Sequence, residues 1–138
     1  MGLGAVLSIA LSGLTAAARR LEVSASNVAN ASSSGPLPDA APAIRASYLA
    51  AYVARRVDQV DVPGGGTIAN VGPDSPGIVP SYDPGAPYAN DKGQVAVPNV
   101  DLANEAVQQI LARESFAANA LVVRTYAQMT KALLDIKT

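Results

Sequence analysis

All ten prolines of this chain lie between residues 32 and 98, and neither flank contains one. Proline removes a backbone donor and clashes with the preceding turn, so a long helix cannot run through the middle. The flanks are free to form long helices, and the distribution predicts a helix–variable middle–helix plan. The expected boundaries are 1–31 for an N-terminal helix, 32–98 for a loop and small β-containing region, and 99–138 for a C-terminal helix. The fold class is mainly α, with the two long helices packed as a coiled-coil-like hairpin. A length of 138 residues favours a single domain.

Both flanks carry a regular apolar stripe. Leu7, Leu11, Leu14, Ala18, Leu21, Ala25 and Val28 follow a 4-3-4-3-4-3 spacing, which is a heptad seam. Arg19, Arg20 and Glu22 stay off it. In the last segment Leu111, Ser115, Ala118, Val122, Thr125, Met129, Ala132 and Ile136 form a second line, widened by Val107, Ile110, Ala117 and Leu121. Asp101 is the expected N-cap, with Glu105 complementing the helix dipole. About 36 helical residues would run about 54 Å, longer than so small a chain can cover by itself. The seams are therefore assigned to subunit packing, with neighbouring chains covering what a lone hairpin leaves exposed.

The middle reads as short strands. Ser32 to Pro42 is a loop by composition. Ile44 to Val62 is ambiguous: Tyr48, Leu49, Tyr52 and Val53 suit the period of a helix, and Arg56 to Val62 reads more like a strand. Gly64-Gly65-Gly66 makes a hairpin turn, followed by strands at Thr67 to Val71 and Ile78 to Tyr82. The remaining prolines keep any sheet small.

Catalytic chemistry has little to work with. The chain has no histidine and no cysteine, which removes imidazole bases, thiolate nucleophiles, disulfides and the common zinc ligands. Asp58 and Asp61 stand at i and i+3, so a strand turns them to opposite faces and they form no acid/base pair. The three glycines lack the Lys-Ser/Thr of a phosphate loop. A net charge of −1 argues against nucleic-acid binding. The apolar stretch Leu3 to Ala18 is too short to span a membrane, and its arginines follow it, unlike a cleaved leader. No enzyme activity, cofactor, metal or small-molecule substrate is expected.

Two sets of residues resemble the flagellar axial family of rod and hook proteins. One is Ala10-Leu11-Ser12-Gly13-Leu14 followed by Arg20-Leu21-Glu22-Val23-Ser24-Ala25-Ser26-Asn27-Val28-Ala29-Asn30, similar to the family's Ser-Asn-x-Ala-Asn segment. Asn27 and Asn30 suit a helix exit, because asparagine tolerates the left-handed conformation. The other set runs through Tyr82-Asp83-Pro84-Gly85-Ala86-Pro87, Val97-Pro98-Asn99-Val100-Asp101 and Ala118-Asn119, and resembles the small proximal-rod branch. The stretch from Ser32 to Val60 departs from the family pattern. The resemblance implies a structural subunit in a helical assembly that transmits motor torque. Its partners would be copies of itself, other rod subunits and the flagellar export apparatus. It also implies residence in the periplasmic basal body without a cleaved signal. The competing reading is a helical-hairpin adaptor for some non-flagellar partner.

Overall fold

A computed structural model describes residues 2–135. In chain order the elements are α1 (Leu3–Asn30), α2 (Pro42–Ser47), β1 (Arg55–Asp61), β2 (Thr67–Pro73), β3 (Ile78–Tyr82), β4 (Gln94–Pro98) and α3 (Leu102–Asp135). The two long helices lie antiparallel. Ser24 near the end of α1 meets Glu105 at the start of α3, while Val6 shares a groove with Met129.

Alanine is the best helix former, and its recurrence through α1 favours the helix over its whole length. The helix ends at Ala31, whose N–H reaches the Val28 carbonyl, just before the serine- and proline-containing loop. The start of α3 is capped as expected. Asp101 Oδ1 accepts from the backbone N–H groups of Ala103 (2.9 Å) and Asn104 (3.2 Å).

Asparagine does not act at the end of α1 as expected. Among the described residues no non-glycine residue has positive φ, and the helix continues through both asparagines. Asn30 instead returns its Nδ2 to the Ser26 carbonyl at 2.8 Å.

Two two-stranded antiparallel sheets make up most of the middle. The pair β1–β2 registers Arg55 with Pro73 and Asp61 with Thr67. Its turn uses Gly64, Gly65 and Gly66, all at φ between 94° and 99°, which side-chain-bearing residues rarely adopt. This hairpin lies along α1 as a strap. Arg20 bonds Gln59, and the Thr67 N–H donates to Ser12 Oγ at 3.1 Å.

The pair β3–β4 registers Ile78 with Pro98 and Tyr82 with Gln94. It covers a small core of Leu37, Ala51 and Ala96, with Ile78 against it, and Gly35 bridges to Ala96. Strand β4 was not expected from sequence.

The ambiguity at Ile44–Val53 resolves into a helix that stops at Ser47 and an extended chain after it. Tyr48 is extended, and the chain beyond it satisfies its backbone elsewhere. Tyr52 N–H donates to Ser33 Oγ (3.1 Å) and Ala54 N–H to the Gly77 carbonyl (2.9 Å). Those tertiary bonds replace the helical ones that local periodicity favoured.

Candidate assembly surfaces

The seam between α1 and α3 is built on the α1 side from small and polar residues. On α1 it runs through Ala10, Gly13, Ala17, Arg20, Ser24 and Asn27, a 3-4-3-4-3 spacing. On α3 it uses Glu105, Gln108, Ala112, Asn119, Val123, Tyr126 and Thr130. Gly13 sets the closest approach. A Cβ added there would stand 2.5 Å from Asn119 Oδ1, so the Asn119 amide lies directly over the glycine.

Asn27 is the hub at the loop end of this seam. It is 2% exposed, and its amide makes four hydrogen bonds. Nδ2 donates to the Arg55 carbonyl (2.8 Å) and to Glu105 Oε1 (2.6 Å). Oδ1 accepts from Tyr52 Oη (3.0 Å) and from the Arg55 N–H (3.0 Å). One side chain thus joins α1, the start of β1 and the start of α3. Ser24 Oγ adds a bond to the Glu105 carbonyl at 3.2 Å. Every buried side-chain polar atom among the described residues has a partner. A polar cleft of about 190 Å³ opens beside this junction, lined by Arg20, Arg55, Arg56, Asp74 and Glu105 among others.

The apolar heptad residues occupy different faces. On α1, Leu11, Ala18, Leu21, Ala25 and Val28 are exposed, and Leu7 and Leu14 are half-buried. On α3, Val107, Leu111, Ala118, Val122 and Met129 are exposed. Ile136 lies outside the described residues. The inner seam of α1 sits one residue before the leucine stripe, and that of α3 one residue after its apolar line. One residue is about 100° around a helix, which turns both bulky stripes away from the contact. Near the open end of the hairpin the α3 stripe borders an apolar groove of about 290 Å³. It is lined by Val6, Leu121, Val122, Thr125, Tyr126 and Met129.

The motif residues of the middle have structural posts. Tyr82 ends β3 and is 75% exposed. Asp83, Pro84 and Gly85 turn the chain, with the Asp83 N–H donating to the Gly93 carbonyl at 2.9 Å. Pro98 is buried at the end of β4. Asn99 ties the approach to α3 back to the loop before β3, through Nδ2 to the Pro76 carbonyl at 3.0 Å. Val100 is half-buried, and Asp101 is the cap.

Residue-level reading missed the Asn27 partners Tyr52, Arg55 and Glu105, and the Gly13–Asn119 contact. The available signal was the row of small residues at Ala10, Gly13, Ala17 and Ser24, one step out of phase with the leucines. Among the described residues no cluster of acidic side chains could hold a metal ion, and no helix is long and apolar enough to cross a membrane.

Residues 7–36 match the family described as flagella basal body rod protein. The chain is 40% identical over 135 residues to the flagellar basal-body rod protein FlgC of Yersinia enterocolitica, covering 97% of this chain and 94% of that one. It is 39% identical over 132 residues to FlgC of Escherichia coli O6:H1, covering 94% and 93%. To FlgC of Borreliella burgdorferi it is 30% identical over 151 residues, covering 99% and 98%.

Proposed function

This chain belongs to the FlgC family of flagellar basal-body rod proteins, and on that premise we propose that it is a structural subunit of the proximal rod. It polymerises with copies of itself and with other rod subunits and carries motor torque by mechanical contact. Its route is the flagellar export apparatus, to a periplasmic site.

One observation carries the reading. α1 meets α3 through small and polar residues, and most of the bulky stripe residues of both helices stay 40–51% exposed, among them Leu11, Leu21, Val28, Val107, Leu111, Val122 and Met129. A monomeric protein rarely exposes two continuous apolar stripes of this length; subunits packed side by side would cover them. The stripe Leu7, Leu11, Leu14, Ala18, Leu21, Ala25 and Val28 is the α1 contribution. Val107, Leu111, Ala118, Val122 and Met129 are that of α3. Packed against stripes of neighbouring subunits, they form the coiled-coil-like contacts of the tube. Each buried contact adds about 25 cal/mol per Å² of apolar surface removed from water.

The test is swimming and recovery of the chain in isolated basal bodies. Leu21→Asp and Val122→Asp should leave expression unchanged, abolish motility and remove the chain from basal bodies. Normal swimming by both variants overturns the assigned surface, and absence of the wild-type chain from basal bodies overturns the reading itself.

A further inference from the structure

The two strand pairs of the middle have four outer edges between them, and three are blunted. On β4, Gly35 and Ala96 exchange both backbone bonds, at 3.1 and 2.9 Å. The backbone groups of Ala96 therefore point outward, and so would those of its register partner on β3, which is Pro80 and has no N–H to offer. On β2, Pro73 lacks a donor at the base, and the Thr67 N–H is taken by Ser12 Oγ. An open strand edge is a template for another chain, and proteins close edges by such means.

The outer edge of β1 is different. The Asp74 N–H donates to the Ala54 carbonyl (2.8 Å) and the Val62 N–H to the Gly66 carbonyl (3.2 Å), which fixes the phase of the ladder at both ends. In that phase Arg56, Asp58 and Val60 exchange bonds with β2, and Arg55, Val57, Gln59 and Asp61 turn N–H and C=O away from it. At Arg55 both groups meet the Asn27 amide, which accepts at 3.0 Å and donates at 2.8 Å. Asn27 thereby makes the pair of bonds that one residue of a neighbouring strand would make. The ladder goes no further: among the described residues nothing bonds the outer groups of Val57, Gln59 and Asp61.

This edge borders the polar cleft beside Asn27. Val57 lies on the strand side of the cleft, Val23 and Ser24 belong to α1, and Asn104 and Gln108 form the α3 wall. A strand edge facing a helix across a cleft suits an extended segment, which adds to the sheet by main-chain bonds and sets alternate side chains against the walls. The amides of the α3 wall match a polar segment. Another copy of this chain has no strand to lend. The outer edges of its β3 and β4 are blunted, and β2 comes with β1 and α1 attached, which is broader than a slot for one strand.

We infer that β1 takes an extended, polar segment of a different rod subunit as a third strand, continuing the ladder that Asn27 begins. Val57 and Gln59 each present one donor and one acceptor to it. The inference rests on the rod-subunit reading and adds a main-chain contact to the side-chain contacts of the stripes.

Gln59 and Ala69 are register partners, and both turn their N–H outward, on opposite edges of the hairpin. A proline at either site removes no bond of the β1–β2 ladder. Gln59→Pro should abolish motility and remove the chain from basal bodies, while Ala69→Pro and Gln59→Ala swim. Normal swimming by Gln59→Pro overturns the contact, as does equal loss with Ala69→Pro or Gln59→Ala. Hydrogen exchange on the wild-type chain needs no substitution. Between the free chain and basal bodies, the Val57 and Gln59 amides should slow by about tenfold or more relative to Ala69. No such difference overturns the proposal, even where Gln59→Pro fails to fold. The chain has no cysteine, so Asp61→Cys can carry a thiol-linked photo-crosslinker at the end of the edge. In basal bodies it should capture a different rod subunit; capture of a second copy, or of nothing, overturns the assigned partner. If Leu21→Asp is immotile while Gln59→Pro swims, the rod reading stands and only the third strand fails.

Discussion

The two faces of α1 are made of different material. The inner face has Ala10, Gly13, Ala17, Ser24 and Asn27, and it meets α3 through close approach and hydrogen bonds. The outer face has Leu11, Leu21 and Val28, which stay 40–47% exposed within the chain. Folding and assembly are therefore assigned to separate surfaces of one helix. An inner face of leucines would spend the apolar surface on the monomer and leave little for a neighbour. A small, polar inner face holds the hairpin in register with geometry that leucines would not specify, since each buried polar group must meet its particular partner.

Substitutions can break this division, beginning with the inner face. Asn27→Ala deletes four hydrogen bonds and strands the Arg55 backbone groups that Asn27 serves, while the Tyr52 hydroxyl keeps Ser26 Oγ at 3.1 Å. It should destabilise the isolated chain by about 3 kcal/mol or more, read by urea unfolding. An effect near zero would show that the hub does not hold the three elements together.

Gly13→Ala puts a methyl 2.5 Å from Asn119 Oδ1. The expected loss is about 1–3 kcal/mol, less the gain of helix propensity. Asn119→Ala removes the obstructing amide and should recover much of it, so a double-mutant cycle measures the close approach directly. Additive effects would place the strain elsewhere.

Asp101→Ala removes the cap of α3 but touches neither face. About 1 kcal/mol should be lost, with assembly retained at reduced temperature tolerance. The smallest stability change belongs to the outer face. Leu21→Asp should alter the unfolding free energy by less than about 1 kcal/mol, because nearly half of the side chain is already open to water. The same substitution should abolish assembly. A large stability loss at Leu21 together with a negligible one at Asn27 would invert the comparison.

Much of the secondary structure was legible because its causes are local. The run without proline from Leu3, the Asp101 cap and the triple-glycine turn each act over a few residues. They yield α1, α3 and the β1–β2 hairpin nearly as expected. Strand β4 escaped notice because its partners, β3 and Gly35, come from other parts of the chain. Tyr48 to Val53 kept a helical period that the structure does not use, because Ser33 and Gly77 take over the backbone bonds of Tyr52 and Ala54. The seams were found at the correct period, but periodicity locates a stripe without saying what covers it.

The sequence by itself determined where helices are possible, where they begin, and which catalytic chemistries are excluded. It also carried the family resemblance, since Asn27, Pro98 and Asp101 appear there in order and spacing. Only the tertiary structure decided which face of each helix turns inward. That choice depends on how close two backbones can come, and Gly13 beneath Asn119, with Asn27 between Arg55 and Glu105, brings together residues far apart in the chain. A heptad of leucines is equally consistent with an inner and an outer seam. The close-packed alternative one residue away leaves the leucines outside.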